Sequence, residues 1–144
     1  DRHGAPGGHW NDGYPFVTLH QSACNYGVES VKLEDSIADQ KEGLATRVEI
    51  LRYYQKVMDK LVAEHDVRYI PNVDYGFGTG KYTGLDGSCC GTVSAGTVVD
   101  ARFTEPDLPV HVKPKFSYDP RKVHVVPPNA LPEGPWMERP GEYR

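Results

Sequence analysis

From Val48 onward the hydrophobic positions fall into a helical rhythm. Ile50, Tyr54, Val57 and Leu61 recur at i, i+4, i+7 and i+11, and Val48, Leu51, Met58 and Val62 widen the stripe. Arg47, Arg52, Lys56, Asp59 and Lys60 mostly fall outside it. A start signal stands in front. In Thr46-Arg47-Val48-Glu49 the Thr hydroxyl and the Glu carboxylate can each satisfy an orphan backbone donor, which is a capping box. The pattern predicts a helix from Thr46 to about His65.

Elsewhere the periodicity is short or absent. Residues 1–35 are rich in turn formers and aromatics and predict an extended, looping arm that wraps over the rest. Val67-Arg68-Tyr69-Ile70 reads as a short strand stopped by Pro71, whose missing N–H cannot continue a ladder. Cys90 to Val93 and Ser94 to Phe103 predict a further strand or hairpin pair, with the β-branched Thr97, Val98 and Val99 at its centre. Beyond Phe103 the chain is punctuated by proline, and only Lys122 to Val126 offers another strand. The last residues lack a period and predict an irregular tail that frays or lies across a partner surface. The fold class expected is α/β or α+β, with one main helix, a small β-rich unit over 67–127 and an irregular 128–144. There is no internal repeat.

Composition narrows this to one thin core. The chain has 144 residues, 38% of them hydrophobic, with 15 glycines and 12 prolines. A net charge of −4 gives no reason to expect nucleic acid, whose binding needs clustered Lys and Arg against phosphate. No apolar run approaches the roughly 18 residues that span a bilayer, and no signal peptide is evident. Those absences predict a soluble, cytoplasmic chain without membrane partners.

Several motifs invite chemistry and most have a plainer explanation. Gly76 to Gly84, GFGTGKYTG, resembles a phosphate cradle. A P-loop, however, requires G-x-x-x-x-G-K-[ST] between strand and helix, whereas Tyr82 stands at the hydroxyl position and a turn follows. A glycine-rich connection between strands is expected there. No G-x-S-x-G elbow announces a hydrolase. Of the three cysteines, Cys24, Cys89 and Cys90, the adjacent pair does not readily form an unstrained disulfide. Cys24 or Cys89 with a distant His would make a thiol site only if the fold paired them, and inert thiols are expected. The best metal case is His3, His9 and His20 with Cys24 close behind; of these only His20-x3-Cys24 has a metal-ligand spacing, and no metal is expected. The acidic run Glu34, Asp35, Asp39 and Glu42 reads as a solvated face.

The opening stretch is different. An acidic residue followed by a loop with paired glycines is what a dinucleotide-binding fold uses after its second strand: the acid bonds the adenosine ribose, and the bare glycines let backbone approach the cofactor. Asp1-Arg2, Pro6-Gly7-Gly8-His9-Trp10-Asn11-Asp12, Tyr14-Pro15-Phe16, Leu19-His20-Gln21 and Tyr26-Gly27-Val28 together resemble the segment after the second strand in flavin-dependent monooxygenase-like proteins, which bind FAD and NAD(P)H. The likeness continues through Glu49-Ile50, Tyr53-Tyr54 and Val57, through Val67-Arg68-Tyr69 and 98–103, and into Val125-Val126-Pro127, Asn129 and Leu131. It implies that the chain is a single partial FAD/NAD(P)-binding-like domain. The first G-x-G-x-x-G would lie about 20 residues ahead of the ribose acid, upstream of Asp1, and the second after residue 144.

On this resemblance Asp1 and Arg2 belong to the ribose end of a cofactor site. Gly7 and Gly8 permit close backbone approach, and Trp10, His20 and Gln21 line the flavin face. The implied reaction takes electrons from NAD(P)H through the flavin and passes one oxygen atom to a small organic substrate. Without the pyrophosphate-binding turn, tight FAD binding by this chain alone is not expected. Two other classes stay open: a cofactor-free interaction module that works with a partner chain or flanking domains, and a non-redox enzyme using His20 with Asp12 or Cys24 as acid and base.

Overall fold

The computed structural model describes residues 1–37, 43–88, 90–102, 108–109 and 111–137. Among these residues the one α-helix, α1, spans Arg47–Glu64, with Thr46 as N-cap and His65 as C-cap. Both halves of the capping box form. The Glu49 N–H donates to Thr46 Oγ1 at 3.3 Å, and the Thr46 N–H donates to Glu49 Oε2 at 2.9 Å. Another first-turn donor, the Arg47 N–H, reaches the Val17 carbonyl at 3.0 Å.

The buried face of α1 is rotated from the expected one. Ile50, Tyr53 and Val57 are buried, Tyr54 is only partly so, and Leu61, Val48 and Val62 are exposed. Two adjacent tyrosines fit either stripe by spacing, and what covers the helix decides between them. The cover is the N-terminal arm. It runs antiparallel to the lead-in of α1, with Leu19 N–H on the Ala45 carbonyl at 2.9 Å and Thr18 bridged to Thr46. It contributes Leu19, Ala23, Leu33 and Ile37 to a core that Ala45, Ile50, Tyr53 and Val57 complete, with Trp10, Val31 and Tyr54 packed at its margin. Farther along the helix Ser30 and Val31 of the arm border a cleft with Leu61, Glu64 and His65 without closing over it, and Leu61 and Val62 stay exposed.

The arm is irregular, as expected, but not featureless. Short 3₁₀ helices occupy Gly8–Asn11, Ala23–Asn25 and Glu34–Ser36. Strands β1 (Gly27–Val28) and β2 (Val31–Lys32) form a small hairpin. Tyr53 holds it. Its hydroxyl accepts the Val28 N–H at 2.7 Å and donates to the Val31 carbonyl.

A second antiparallel sheet has the order β3-β4-β5, from Val73–Gly76, Lys81–Gly84 and Cys90–Thr92. One helix and two small antiparallel sheets make this an α+β fold. The strand expected at Cys90 to Val93 is present as β5. The glycine-rich stretch is a connection only over 77–80, because Lys81–Gly84 is the central strand.

Three expected strands do not form. Residues 67–70 are outside any strand, and Pro71 keeps their direction from continuing into a ladder; their carbonyl end is engaged by the arm instead, with the Asp1 main-chain nitrogen on the Ile70 carbonyl at 2.9 Å. Residues 94–102 have β-branched side chains but no partner strand among the described residues, and Val99 is 78% exposed; Phe103 lies outside the described residues. At Lys122 to Val126 a turn intervenes, since the Lys122 and Val123 N–H groups both donate to the Asp119 carbonyl. The tail forms two 3₁₀ helices, Pro128–Glu133 and Pro135–Met137, so it is more ordered than its sequence predicts, and 138–144 lie outside the described residues.

Candidate functional site

The opening residues are held from several sides. Asp1 and His3 are clamped by main-chain bonds to the approach of β3: Val73 N–H donates to the Asp1 carbonyl at 2.9 Å and Asn72 N–H to the His3 carbonyl at 3.2 Å. The side chains then converge. Asp1 Oδ1 accepts the His3 N–H at 2.9 Å, an Asx-type turn, and lies 3.3 Å from His3 Nδ1. His3 Nε2 stands 2.8 Å from Asp12 Oδ2. One imidazole is therefore gripped between two carboxylates. The carbonyl of Asp12 accepts from Asn129 Nδ2 at 2.7 Å, which ties the 3₁₀ helix Pro128–Glu133 to the same cluster.

The glycine pair sits beside this cluster and its members differ. Gly7 has φ +129°, a conformation that L side chains rarely adopt, and a Cβ there would come within 2.6 Å of the side-chain tip of Leu51, Cδ2, so a bare α-carbon suits the close approach of the arm to α1. Gly8 has φ +52°, and a Cβ there would meet nothing within 4 Å. The two glycines open the 3₁₀ helix Gly8–Asn11, whose last carbonyls are bound by α1: Arg47 Nε donates to the Trp10 carbonyl at 2.8 Å and Nη2 to that of Asn11 at 2.7 Å. Trp10 packs at the edge of the core and stacks with His9 at 5.6 Å between ring centroids.

Of the residues singled out from sequence, the structure keeps Asp1, Gly7, Gly8 and Trp10 within one short, tightly bonded arm. Arg2 is exposed on it. His20 and Gln21 are exposed further along, after the arm has crossed Ala45 and Thr46. Asp12 is engaged by His3, not by His20. Cys24 and Cys90 are free and exposed, with Cys24 Sγ 3.3 Å from Ser22 Oγ; Cys89 lies outside the described residues. Among the described residues no group of three or more His, Cys, Asp or Glu is placed to hold a metal ion. A shallow concavity of about 380 Å³ lies between Ala23 and Glu34, away from the opening glycines.

Of the residues that fix the arm, the sequence offers His3 only as a metal-ligand candidate and Asn129 only within the family resemblance, and it gives Arg47 no role in the site. By the helical period Arg47 falls with the charges outside the apolar stripe, and no local pattern marks a partner for Asn129, 117 residues from Asp12. His3 had a faint signal in lying two residues from an acid that can form an Asx turn.

No helix among the described residues is long and apolar enough to cross a membrane. No family model matches the chain, and no solved structure matches it. Uncharacterized protein Rv2000 of Mycobacterium tuberculosis and uncharacterized protein Mb2023 of Mycobacterium bovis are each 34% identical to it over 140 residues, covering 92% of this chain and 26% of theirs. The chain spans about a quarter of the length of the curated relatives it matches.

Proposed function

We propose that the chain forms the ribose-proximal part of a dinucleotide site in a FAD- and NAD(P)H-dependent monooxygenase-like oxidoreductase acting on a small organic substrate. The observation that carries this reading is the pairing of an open glycine with a half-free carboxylate on one arm. A side chain at Gly8 would meet nothing within 4 Å, so an adenosine moiety can approach the main chain there. Asp1 Oδ1 takes both contacts from His3, while Asp1 Oδ2 has no partner among the described residues and is available to accept from a ribose hydroxyl. The residues present therefore fit the ribose end of the cofactor.

In this role Asp1 accepts from the ribose, Gly8 leaves room for close approach, Arg2 flanks the acid, and Trp10, His20 and Gln21 border the flavin. FAD, when bound, supplies the electron transfer and oxygen chemistry. Gly7 serves chiefly to seat the arm on Leu51.

The test is flavin retention. The 144-residue chain passed over a gel-filtration column with FAD should elute without stoichiometric flavin, and the same chain placed behind a strand and G-x-G-x-x-G turn should retain it. A folded fusion that retains none, or whose Asp1→Ala variant retains as much as the parent, would overturn the proposal. A second reading, a cofactor-free interaction module, is favoured by the exposure of Val98, Val99 and Phe116. It predicts a fusion that captures a protein partner and no flavin.

A further inference from the structure

The chain Asn129, Asp12, His3, Asp1 links the tail to the acid proposed for the ribose, and we infer that His3 is the positioning residue that presents the Asp1 carboxylate to a nucleotide ribose. This rests on the dinucleotide reading above and adds to it a device for aiming the acid. A carboxylate only accepts, so the 2.8 Å contact with Asp12 Oδ2 makes His3 Nε2 a donor and fixes the ring. With the ring fixed, Nδ1 faces Asp1 Oδ1 at 3.3 Å, and it donates there when the imidazole is protonated. The His3 N–H donates to the same oxygen at 2.9 Å. The main-chain N–H acts on Oδ1 whatever protons the ring carries, and Nδ1 joins it only in the doubly protonated ring, so the carboxylate is held through one oxygen and Oδ2 is left for the ligand.

The device is anchored at each end. Main-chain bonds from Asn72 and Val73 hold the backbone of His3 and Asp1, so the imidazole cannot swing by moving its own segment. Asn129 holds the Asp12 segment through its carbonyl. A side chain fixed in this way restricts the rotamers of its neighbour before ligand arrives, which lowers the ordering cost of binding. The His3 side chain is 23% exposed and Asp1 34%, so the cluster lies at the surface where a nucleotide can reach it.

The test compares ADP with 2′-deoxy-ADP on the 144-residue chain, by NMR shift titration to millimolar ligand. A ribose hydroxyl on Asp1 gives a preference for ADP, and Asp1→Asn should abolish it. His3→Ala and Asp12→Asn should each weaken ADP binding about fivefold, the ratio for one hydrogen bond, and leave 2′-deoxy-ADP binding unchanged. A purely structural role would weaken both ligands alike, and this outcome, or an ADP preference that survives both substitutions, overturns the assignment to His3. Asp12→Asn keeps the size of the side chain and the Asn129 contact, so it serves if His3→Ala unfolds the arm. No ADP-induced shift in the unsubstituted chain, or a preference that survives Asp1→Asn, overturns the ribose reading itself and this inference with it.

Discussion

The hydroxyl of Tyr53 accepts the main-chain N–H of Val28 at 2.7 Å, so a side chain of α1 completes a hairpin that lies 25 residues away in sequence. The same oxygen donates to the Val31 carbonyl, serving the two facing residues at the hairpin's end. Gly27 makes this possible: with φ +103° its absent Cβ would otherwise lie 2.7 Å from the Tyr53 oxygen. The ring itself is 1% exposed. One residue thus fills the core and satisfies polar backbone at its rim.

Tyr53→Phe should therefore cost about 2 kcal/mol by orphaning a donor and an acceptor while preserving the packed ring. Tyr54→Phe, beside it but with no hydrogen bond among the described residues, should cost less than about 0.5 kcal/mol. Urea midpoints on the two variants check this, and equal losses would mean that the hydroxyl contributes nothing.

Arg47 carries the arm's other polar attachment. Its guanidinium satisfies the Trp10 and Asn11 carbonyls together, and Arg47→Ala should lose about 3 kcal/mol. Arg47→Lys should recover less than half of this, because an ammonium does not reproduce the fork that spans two adjacent carbonyls. Thermal midpoints with proteolysis of the arm as a second probe would show it; full recovery by Lys would mean that charge alone suffices.

How much of this was legible depended on whether the signal was local. The capping box and the ends of α1 could be read because Thr46 and Glu49 lie within one turn of each other. The choice between Tyr53 and Tyr54 could not, because it depends on which side the arm covers. Residues 94–102 show the converse: β-branched side chains fit a pleated surface, but a strand exists only where a neighbour supplies the ladder, and β5 ends at Thr92. For the candidate site, Asp1, Gly7, Gly8 and Trp10 could be picked out by motif. The partners that fix them, His3 through Asp12 and Asp12 through Asn129, are long-range or depend on backbone turns that sequence does not display.

Stability should fall at both ends of the pH scale for different reasons. Hydrogen bonds from Ser88 hold Asp86 below its ordinary value of 3.8, those from Arg102 do the same for Asp100, and those from Arg121 for Asp119. A depressed carboxyl contributes stability that is present above its unfolded value and lost as pH falls through the folded one, so these turns should loosen below about pH 4. Tyr54 and Tyr69 are shifted the other way, raised above 10.0 by burial, with electrostatic repulsion from Tyr53 adding to the effect at Tyr54. Their contribution is complete below the unfolded value and is lost as pH rises through the folded one. Carboxyl titration by NMR and alkaline unfolding curves check the two limbs; Asp100 titrating at or above its ordinary value would contradict the first.

Gly7 and Gly8 are neighbours whose substitutions should separate folding from binding. Gly7→Ala places a methyl against Leu51 Cδ2 in a backbone conformation that L side chains avoid, and should cost about 3 kcal/mol. In a Leu51→Ala background the contact is gone but the strain at φ +129°, well outside the left-handed helical region, remains, so the added cost should fall only to about 2 kcal/mol, a coupling that a double-mutant cycle reads directly. Gly8→Ala meets no atom and should cost only the strain, about 1 kcal/mol. Gly8→Val in the fingerprint-bearing fusion should go further and abolish flavin retention while α1 stays folded, because the side chain would stand where an adenosine moiety approaches. If Gly8→Val lowers the thermal midpoint and leaves flavin content unchanged, the open face at Gly8 is a feature of the turn alone, and its assignment to a cofactor is withdrawn.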